Sequence, residues 1–263
     1  MQMRDDLLGM FDSDKTLLFS GMDSKNLFFK HLKIMPQDWY YRDVEITYSY
    51  NKNGHRCKQI ADVDFSNYIL FLGDSHTEGV GLELENTYAY KTSKALGCDY
   101  YNMGLGGTGI DFMMHNLLVW LSKYPKPKYI VLFFSDENRF MSRAYGGIMP
   151  FVENGSWSSD DDSKQFLVSG SNVGFFRTRL ELYCLQIKNL LAHFDIPYCN
   201  ISIFHPNLPY LECKTFDRNM ECRARDLQHI GIDTHQLITD YLVSYYHDKY
   251  INARDNQDIR GQS

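Results

Sequence analysis

The sequence has no apolar run of the roughly 18 residues that a helix needs to cross a bilayer. Its N-terminal "MQMRDDLLGMFDSDK" is interrupted by acids where a signal peptide carries its apolar stretch. These two absences predict a protein without a membrane span, cytoplasmic by default. No dense block of Lys and Arg occurs, and the net charge is -6. Nucleic acid or an anionic membrane would require clustered positive charge, so neither is an expected partner. The six cysteines (Cys57, Cys98, Cys184, Cys199, Cys213, Cys222) contain no CxxC pair, which predicts mostly buried, reduced thiols and no disulfide or metal framework. The acidic run Asp160, Asp161, Asp162 lacks EF-hand spacing and reads as a solvated loop. "GLGGTG" (104 to 109) lacks the Lys-Ser/Thr ending of a phosphate loop. No cofactor and no metal are implied.

At 263 residues, with 44% hydrophobic and 23% charged content, the chain fits one large α/β domain able to bury a substantial core. Residues 1–66 carry no strong repeating pattern and read as a lead-in that packs on the main domain, although "EITYSYNKNGHR" alternates like a short strand ending in an Asn-x-x-Gly turn. The main domain is expected over 67–250, with a polar tail at 251–263. "YILFLG" from Tyr68 and "KYIVLFF" (128 to 134) have the length and apolar continuity of interior strands in a parallel sheet, and "CDYYNMG" and "IPYCNISIF" read as two more. Between them, helices are expected over about 87–96, over "GIDFMMHNLLVWL" and over about 180–194. The second of these buries Ile110, Met113, Met114, Leu117, Leu118 and Leu121, and a last helix from near Asp233 buries Leu237, Ile238, Tyr241, Leu242 and Tyr245. Residues 140–176, rich in Gly, Ser and Asp, read as a surface excursion. Strands alternating with helices imply right-handed crossovers and helices on both faces of a mainly parallel sheet, whose sites form beyond the carboxyl ends of the strands.

That is where "FLGDSHTEGVG" (71 to 81) places Ser75. A hydroxyl at such a strand end can attack a carbonyl, and its own N–H can face the resulting oxyanion. A strand-to-helix turn capped by Asp or Ser explains Gly-Asp-Ser equally well. A nucleophile needs a base, and "RARDLQHIGIDTH" supplies Asp226 and His229, three apart, so that in a turn the carboxylate can orient the imidazole. His235 is a rival base with Asp233 only two residues before it, and reads as a helix-start residue. His76 is expected to point away from Ser75 or into the cleft rim. Glu78 is expected in the first turn of the following helix, where its charge suits the dipole. Neither is assigned chemistry.

Read together and in order, "FLGDSHTEGVG", "NMGLGGTGID" and "ARDLQHIGIDTHQLITDYL" resemble the first, second and last sequence blocks of the SGNH/GDSL hydrolase family. "YSYNKNGHR" is similar to the segment before the first block in bacterial and phage-type members, which adds a phage association to the expected locations. The resemblance spans about residues 46–247 and implies a three-layer α/β/α, flavodoxin-like fold. It also implies ester hydrolysis through an acyl-enzyme, with Ser75 as nucleophile, His229 as base and then acid, and Asp226 as its orienter. The implied oxyanion donors are the N–H groups of Ser75 and Gly107 and the side chain of Asn138. The third block departs from the family pattern: "FFSDENRF" puts Glu137 at the asparagine position and Asn138 one residue late. A carboxylate there would repel an oxyanion. Arg139 is a candidate for a polar or anionic substrate group, against an ion pair with Asp136 or Glu137. The null role for Gly104, Gly106, Gly107 and Gly109 is a positive φ in the turn.

Three readings follow. The leading one is a serine esterase acting on a small acyl ester, with an O-acetyl group on a glycan suggested by aromatic residues such as Trp157 in the excursion. The others are a catalytically weakened module that binds carbohydrate or protein, and an acyltransferase using the same three residues. A triad of this kind should lose activity on acidification through the imidazole range near pKa ~6.5.

Overall fold

The computed structural model describes residues 7–9, 14–137, 139–144, 147–151, 174–204, 208–217 and 222–251. The lead-in folds as β1 (Lys15–Leu17), α1 (Lys25–Ile34) and β2 (Tyr48–Tyr50), with β1 and β2 paired antiparallel. Helix α1 has no counterpart in the sequence reading; Leu27, Phe28 and Leu32 form a half-buried apolar face around His31, its one buried residue. The Ser24 hydroxyl caps its start, accepting the N–H of Leu27.

The chain then runs through β3 (Tyr68–Leu72), the one-turn helix α2 (Ser75–Glu78), α3 (Tyr88–Ala95), β4 (Asp99–Asn102), α4 (Ile110–Lys123) and β5 (Tyr129–Phe134). It continues through a hairpin, β6 (Phe140–Ala144) with β7 (Gly147–Phe151), and then α5 (Phe175–His193), β8 (Tyr198–Ser202), β9 (Lys214–Thr215) and α6 (Ile232–Tyr246). The hairpin occupies part of the stretch read as an irregular excursion. Trp157 and Asp160, Asp161 and Asp162 lie outside the described residues.

One five-stranded sheet has the order β4-β3-β5-β8-β9, with every neighbouring pair parallel. In sheet order this is 2-1-3-4-5, the flavodoxin-like winding. Strands β3 and β5 are buried along their whole length, so they need cover on both faces. Helices α3 and α6 pack on each other, as do α4 and α5, which supplies the two outer layers of a three-layer α/β/α fold.

Two helical faces differ from expectation. On α4, Ile110, Met113, Met114 and Leu117 are buried, but Leu118 is 43% exposed and the inward place is taken by Trp120, whose indole N–H donates to the Tyr68 hydroxyl. On α6, Ile238 and Leu242 are buried while Leu237 is 46% exposed. A helix against a sheet buries a stripe little more than 100° wide, and residues at its edge go to whichever side has a partner.

The lead-in packs on the main sheet structure through its own small core, in which Tyr41, Ile46, Tyr48 and Tyr50 meet Leu82 and Ala224. Arg56 is buried beneath it. Its guanidinium donates to the carbonyls of Thr47, Gly79 and Leu82 and lies 4.3 Å from the centre of the Tyr48 ring. The segment that follows α2 is therefore held from below. Burial also pushes the thiols of Cys57, Cys184 and Cys199 up to about 12.

Candidate active site

Strand β3 points its carboxyl end at the switch point of the sheet, where the chain leaves to β4 on one side and to β5 on the other. Asp74 caps α2 there, its Oδ1 accepting the N–H of His76 at 3.0 Å. Ser75 is the first residue of α2, and its N–H has no partner among the described residues.

The loop before α6 reaches this point from the other end of the chain. Arg223 and Ile230 form an antiparallel bridge, and Leu227 takes the left-handed conformation at φ 57°, which turns the chain tightly between Asp226 and His229. Asp226 Oδ1 accepts the N–H groups of Gln228 and His229, both at 3.1 Å. Its Oδ2 lies 2.5 Å from His229 Nδ1, and His229 Nε2 lies 2.7 Å from Ser75 Oγ. Ser75, Asp226 and His229 are all buried. Burial alone would push the Asp226 carboxyl up; the bond to His229 and the two N–H donors outweigh it and hold the group below the usual carboxylate range.

The second block closes over the helix that starts at Ser75. A Cβ on Gly104 would lie 2.3 Å from the Glu78 nitrogen, so only glycine permits this approach. Of the four glycines whose role was a positive φ, Gly107 alone has one, at 77°. The amides around it are spoken for: Leu105 donates to the Gly73 carbonyl, Gly106 to Glu78 Oε2 at 2.7 Å, and Thr108 to the Leu105 carbonyl. The Gly107 N–H has no partner among the described residues, like that of Ser75. Asn138 lies outside the described residues. Glu137 is not a bare carboxylate: its side chain is 3.5 Å from Arg177, and Arg179 donates to its carbonyl.

One neighbour corrects the sequence reading, and two more stand beside it. Arg139 pairs with neither Asp136 nor Glu137; its guanidinium is 2.6 Å from Asp74 Oδ2, a fully buried carboxylate that needs a counter-charge more than an exposed one does. The ring of His76 stacks on Phe133 and lies 4.8 Å from the ring of His229. Glu78 lies in the first turn of α2, where it is buried beneath the second block. Its carboxyl accepts the Tyr50 hydroxyl at 2.5 Å and the Gly106 N–H, and burial pushes it above the usual range. His235 is buried against α3, where its Nδ1 accepts the Tyr88 N–H at 2.9 Å. Met22, which no pattern singled out, is also close, since its Sδ would lie 3.2 Å from a Cβ on Gly106.

Glu78 carries a prediction. In Glu78→Gln the amide oxygen can still accept the Gly106 N–H while the NH₂ donates to the Tyr50 hydroxyl, which accepts as well as donates. Stability and turnover should stay near wild type. Glu78→Ala leaves both donors buried and unpaired, a cost of about 1–3 kcal/mol, and frees the Gly106–Gly107 loop, with turnover falling by up to roughly 10²-fold. Urea denaturation alongside initial rates checks this, and equal losses in the two variants would contradict it.

No protein-family model matches the chain, and no curated protein matches it. Among solved structures it is similar to an acetyl xylan esterase from the rumen bacterium Butyrivibrio proteoclasticus, at 16% identity and a TM-score of 0.41, covering 70% of this chain and 64% of that one. It is also similar to a carbohydrate acetylesterase family member from Sinorhizobium meliloti (15%, TM-score 0.40, 69% of this chain and 97% of that one). A third is a member of the lipolytic protein G-D-S-L family from Veillonella parvula (12%, TM-score 0.34, 70% and 97%). This chain thus spans less than two thirds of the acetyl xylan esterase, and at these identities the likeness is one of fold.

Proposed function

We propose that the chain is a serine esterase of the SGNH/GDSL type that hydrolyses a small acyl ester. The observation that carries this reading is the continuous hydrogen-bonded path from Ser75 Oγ through His229 to Asp226. His229 Nε2 takes the Ser75 proton as Oγ attacks the ester carbonyl, and Asp226, held ionised, keeps the other imidazole nitrogen protonated and stabilises the imidazolium. The N–H groups of Ser75 and Gly107 receive the oxyanion. His229 then returns its proton to the leaving alcohol, and a water activated by the same nitrogen hydrolyses the acyl-enzyme. The third donor is assigned to Asn138. Arg139, whose Nε is buried without a partner among the described residues and whose guanidinium lies 5.4 Å from the centre of the Phe204 ring, is assigned to a polar group of the substrate.

For the substrate we favour an O-acetyl group on a carbohydrate. Two structures of like fold are, by description, an acetyl xylan esterase and a carbohydrate acetylesterase family member, which supports a short acyl group on a sugar. On a panel of p-nitrophenyl acetate, p-nitrophenyl palmitate and acetylated xylan, the acetyl substrates should react and the palmitate should not. Equal rates on the long chain and the acetylated sugar would sink the carbohydrate assignment, and no reaction with any of them or with a fluorophosphonate would sink the esterase.

A further inference from the structure

The residue immediately before Asp226 is fastened more heavily than anything else in its loop. Arg225 is buried, and its Nε is 3.2 and 3.0 Å from the two carboxylate oxygens of Asp23, with a terminal nitrogen 2.6 Å from Oδ2. That terminal nitrogen also donates to the Leu18 carbonyl, and the guanidinium lies within 4.8 and 5.1 Å of the centres of the Phe19 and Phe28 rings. The backbone is held too: the Arg225 N–H donates to the Gly81 carbonyl, and His31 Nδ1 lies 3.1 Å from the Arg225 carbonyl.

These bonds close a circuit. Asp23 accepts the Tyr48 hydroxyl at 2.6 Å, the Tyr48 oxygen accepts the Gly81 N–H at 2.8 Å, the Gly81 carbonyl accepts the Arg225 N–H at 3.0 Å, and the Arg225 guanidinium returns to Asp23. Gly81 follows Ser75 by six residues and Arg225 precedes Asp226 by one, so the circuit ties the nucleophile's segment to the loop that carries the acid and the imidazole. Asp23 lies 202 residues from Arg225, in the lead-in, outside every motif.

We propose that Asp23 and Arg225 are positioning residues for the base: they set the distance from His229 to Ser75 through the backbone of Asp226. The inference rests on the esterase reading of those three residues. A buried ion pair adds little stability over an apolar pair of the same shape, but the flat fork of Arg on a carboxylate fixes orientation in a way that a point charge cannot. A displacement of about 1 Å at a reacting centre can cost roughly 10²-fold in rate, and the bonds inside the loop hold its shape without tying it to the segment after Ser75, which the Arg225 N–H does. The lead-in is thereby part of the catalytic apparatus.

The test compares Arg225→Lys and Asp23→Asn with Trp120→Phe, which loosens the core at the far end of β3 and serves as a control for general destabilisation. In each, kcat and KM for p-nitrophenyl acetate are measured per folded molecule well below the melting temperature. The low-field proton resonance of His229 Nδ1–H is recorded as a signature of its bond to Asp226. Expected for at least one of the pair variants is a folded protein with kcat down about 10- to 100-fold, KM unchanged and the low-field signal broadened or lost, while Trp120→Phe keeps both kcat and the signal. Unchanged kcat in every pair variant that folds overturns the proposal. So does failure of both pair variants to fold, which would make the pair purely structural, or an equal kcat loss in the control. A wild type that hydrolyses nothing overturns the esterase reading instead, and the low-field signal still judges the positioning of His229 by itself.

Discussion

Ser75→Ala is expected to lower turnover of p-nitrophenyl acetate by about 10⁴- to 10⁶-fold while leaving the melting temperature close to that of wild type. In the proposed mechanism the loss is this large because the hydroxyl is the atom that forms the covalent bond; the imidazole, the carboxylate and the two amides would remain with nothing to act on. The change removes one oxygen from a buried site and leaves the Asp74 cap, the four-residue helix and the second block in place. The His229 Nε2 that faced Ser75 Oγ at 2.7 Å would be left to water. A fluorophosphonate should label wild type once per chain, at Ser75, and leave the variant unlabelled. Near-background rates in both proteins, with no labelling, would move the assignment to a module that binds without catalysis.

The second large effect separates two histidines only six residues apart. His229→Ala should abolish turnover to a similar extent without unfolding the protein, since its ring contacts are Asp226, Ser75 and His76 at the site. His235→Ala should do the opposite. It removes the acceptor of the Tyr88 N–H and a ring lying 5.4 Å from that of Tyr88, which predicts a loss of about 2–4 kcal/mol from the cavity and the orphaned donor. Turnover per folded molecule should survive.

The two histidines also differ in what acid does through them. Burial, with Lys91 and other nearby positive charge, lowers the His235 imidazole to about 3. Its folded value is thus below the unfolded one near ~6.5, so the unfolded chain binds the proton first. The stability it contributes is present above about pH 6.5 and is lost as pH falls toward 3, at about 1.4 kcal/mol per pH unit. His55, buried behind Tyr101 and lowered to about 4, adds the same sign down to that pH. Urea denaturation at pH 7 and pH 5 should show wild type weakening on acidification and His235→Ala weakening less steeply. Parallel curves would mean that His235 titrates freely and is not held neutral by the fold.

Much of the architecture was legible because it depends on neighbours in the chain. A run such as "YILFL" with no polar position can only be a strand or helix covered on all sides, and its length and the following Gly-Asp-Ser favour the strand. Asp226 and His229 are three apart, so a single tight turn is enough to join them, and Ser75 sits at a strand end where sheets of this winding keep their sites. What was less legible were the edges of helical faces: Leu118 and Trp120 are both apolar residues of α4, and only the Tyr68 hydroxyl waiting at the far end of β3 decides which turns inward. The hairpin of β6 and β7 was hidden by turn-forming composition around it, and α1 by a short apolar face, Leu27, Phe28 and Leu32, that is shared with a histidine.

The strands β3, β4, β5 and β8, the helices between them and the local partners Asp226 and His229 could be read from the sequence alone, because hydrophobic periodicity and turn chemistry act over a few residues. The charge partners were decided by tertiary structure. Asp74 with Arg139 is 65 residues apart, Glu78 with Gly106 is 28 and Asp23 with Arg225 is 202. An Arg three residues from an Asp or Glu in the chain looks like its partner, yet exposed pairs of that kind gain little, whereas a carboxylate buried by the fold must find a counter-charge or a donor wherever one is brought to it.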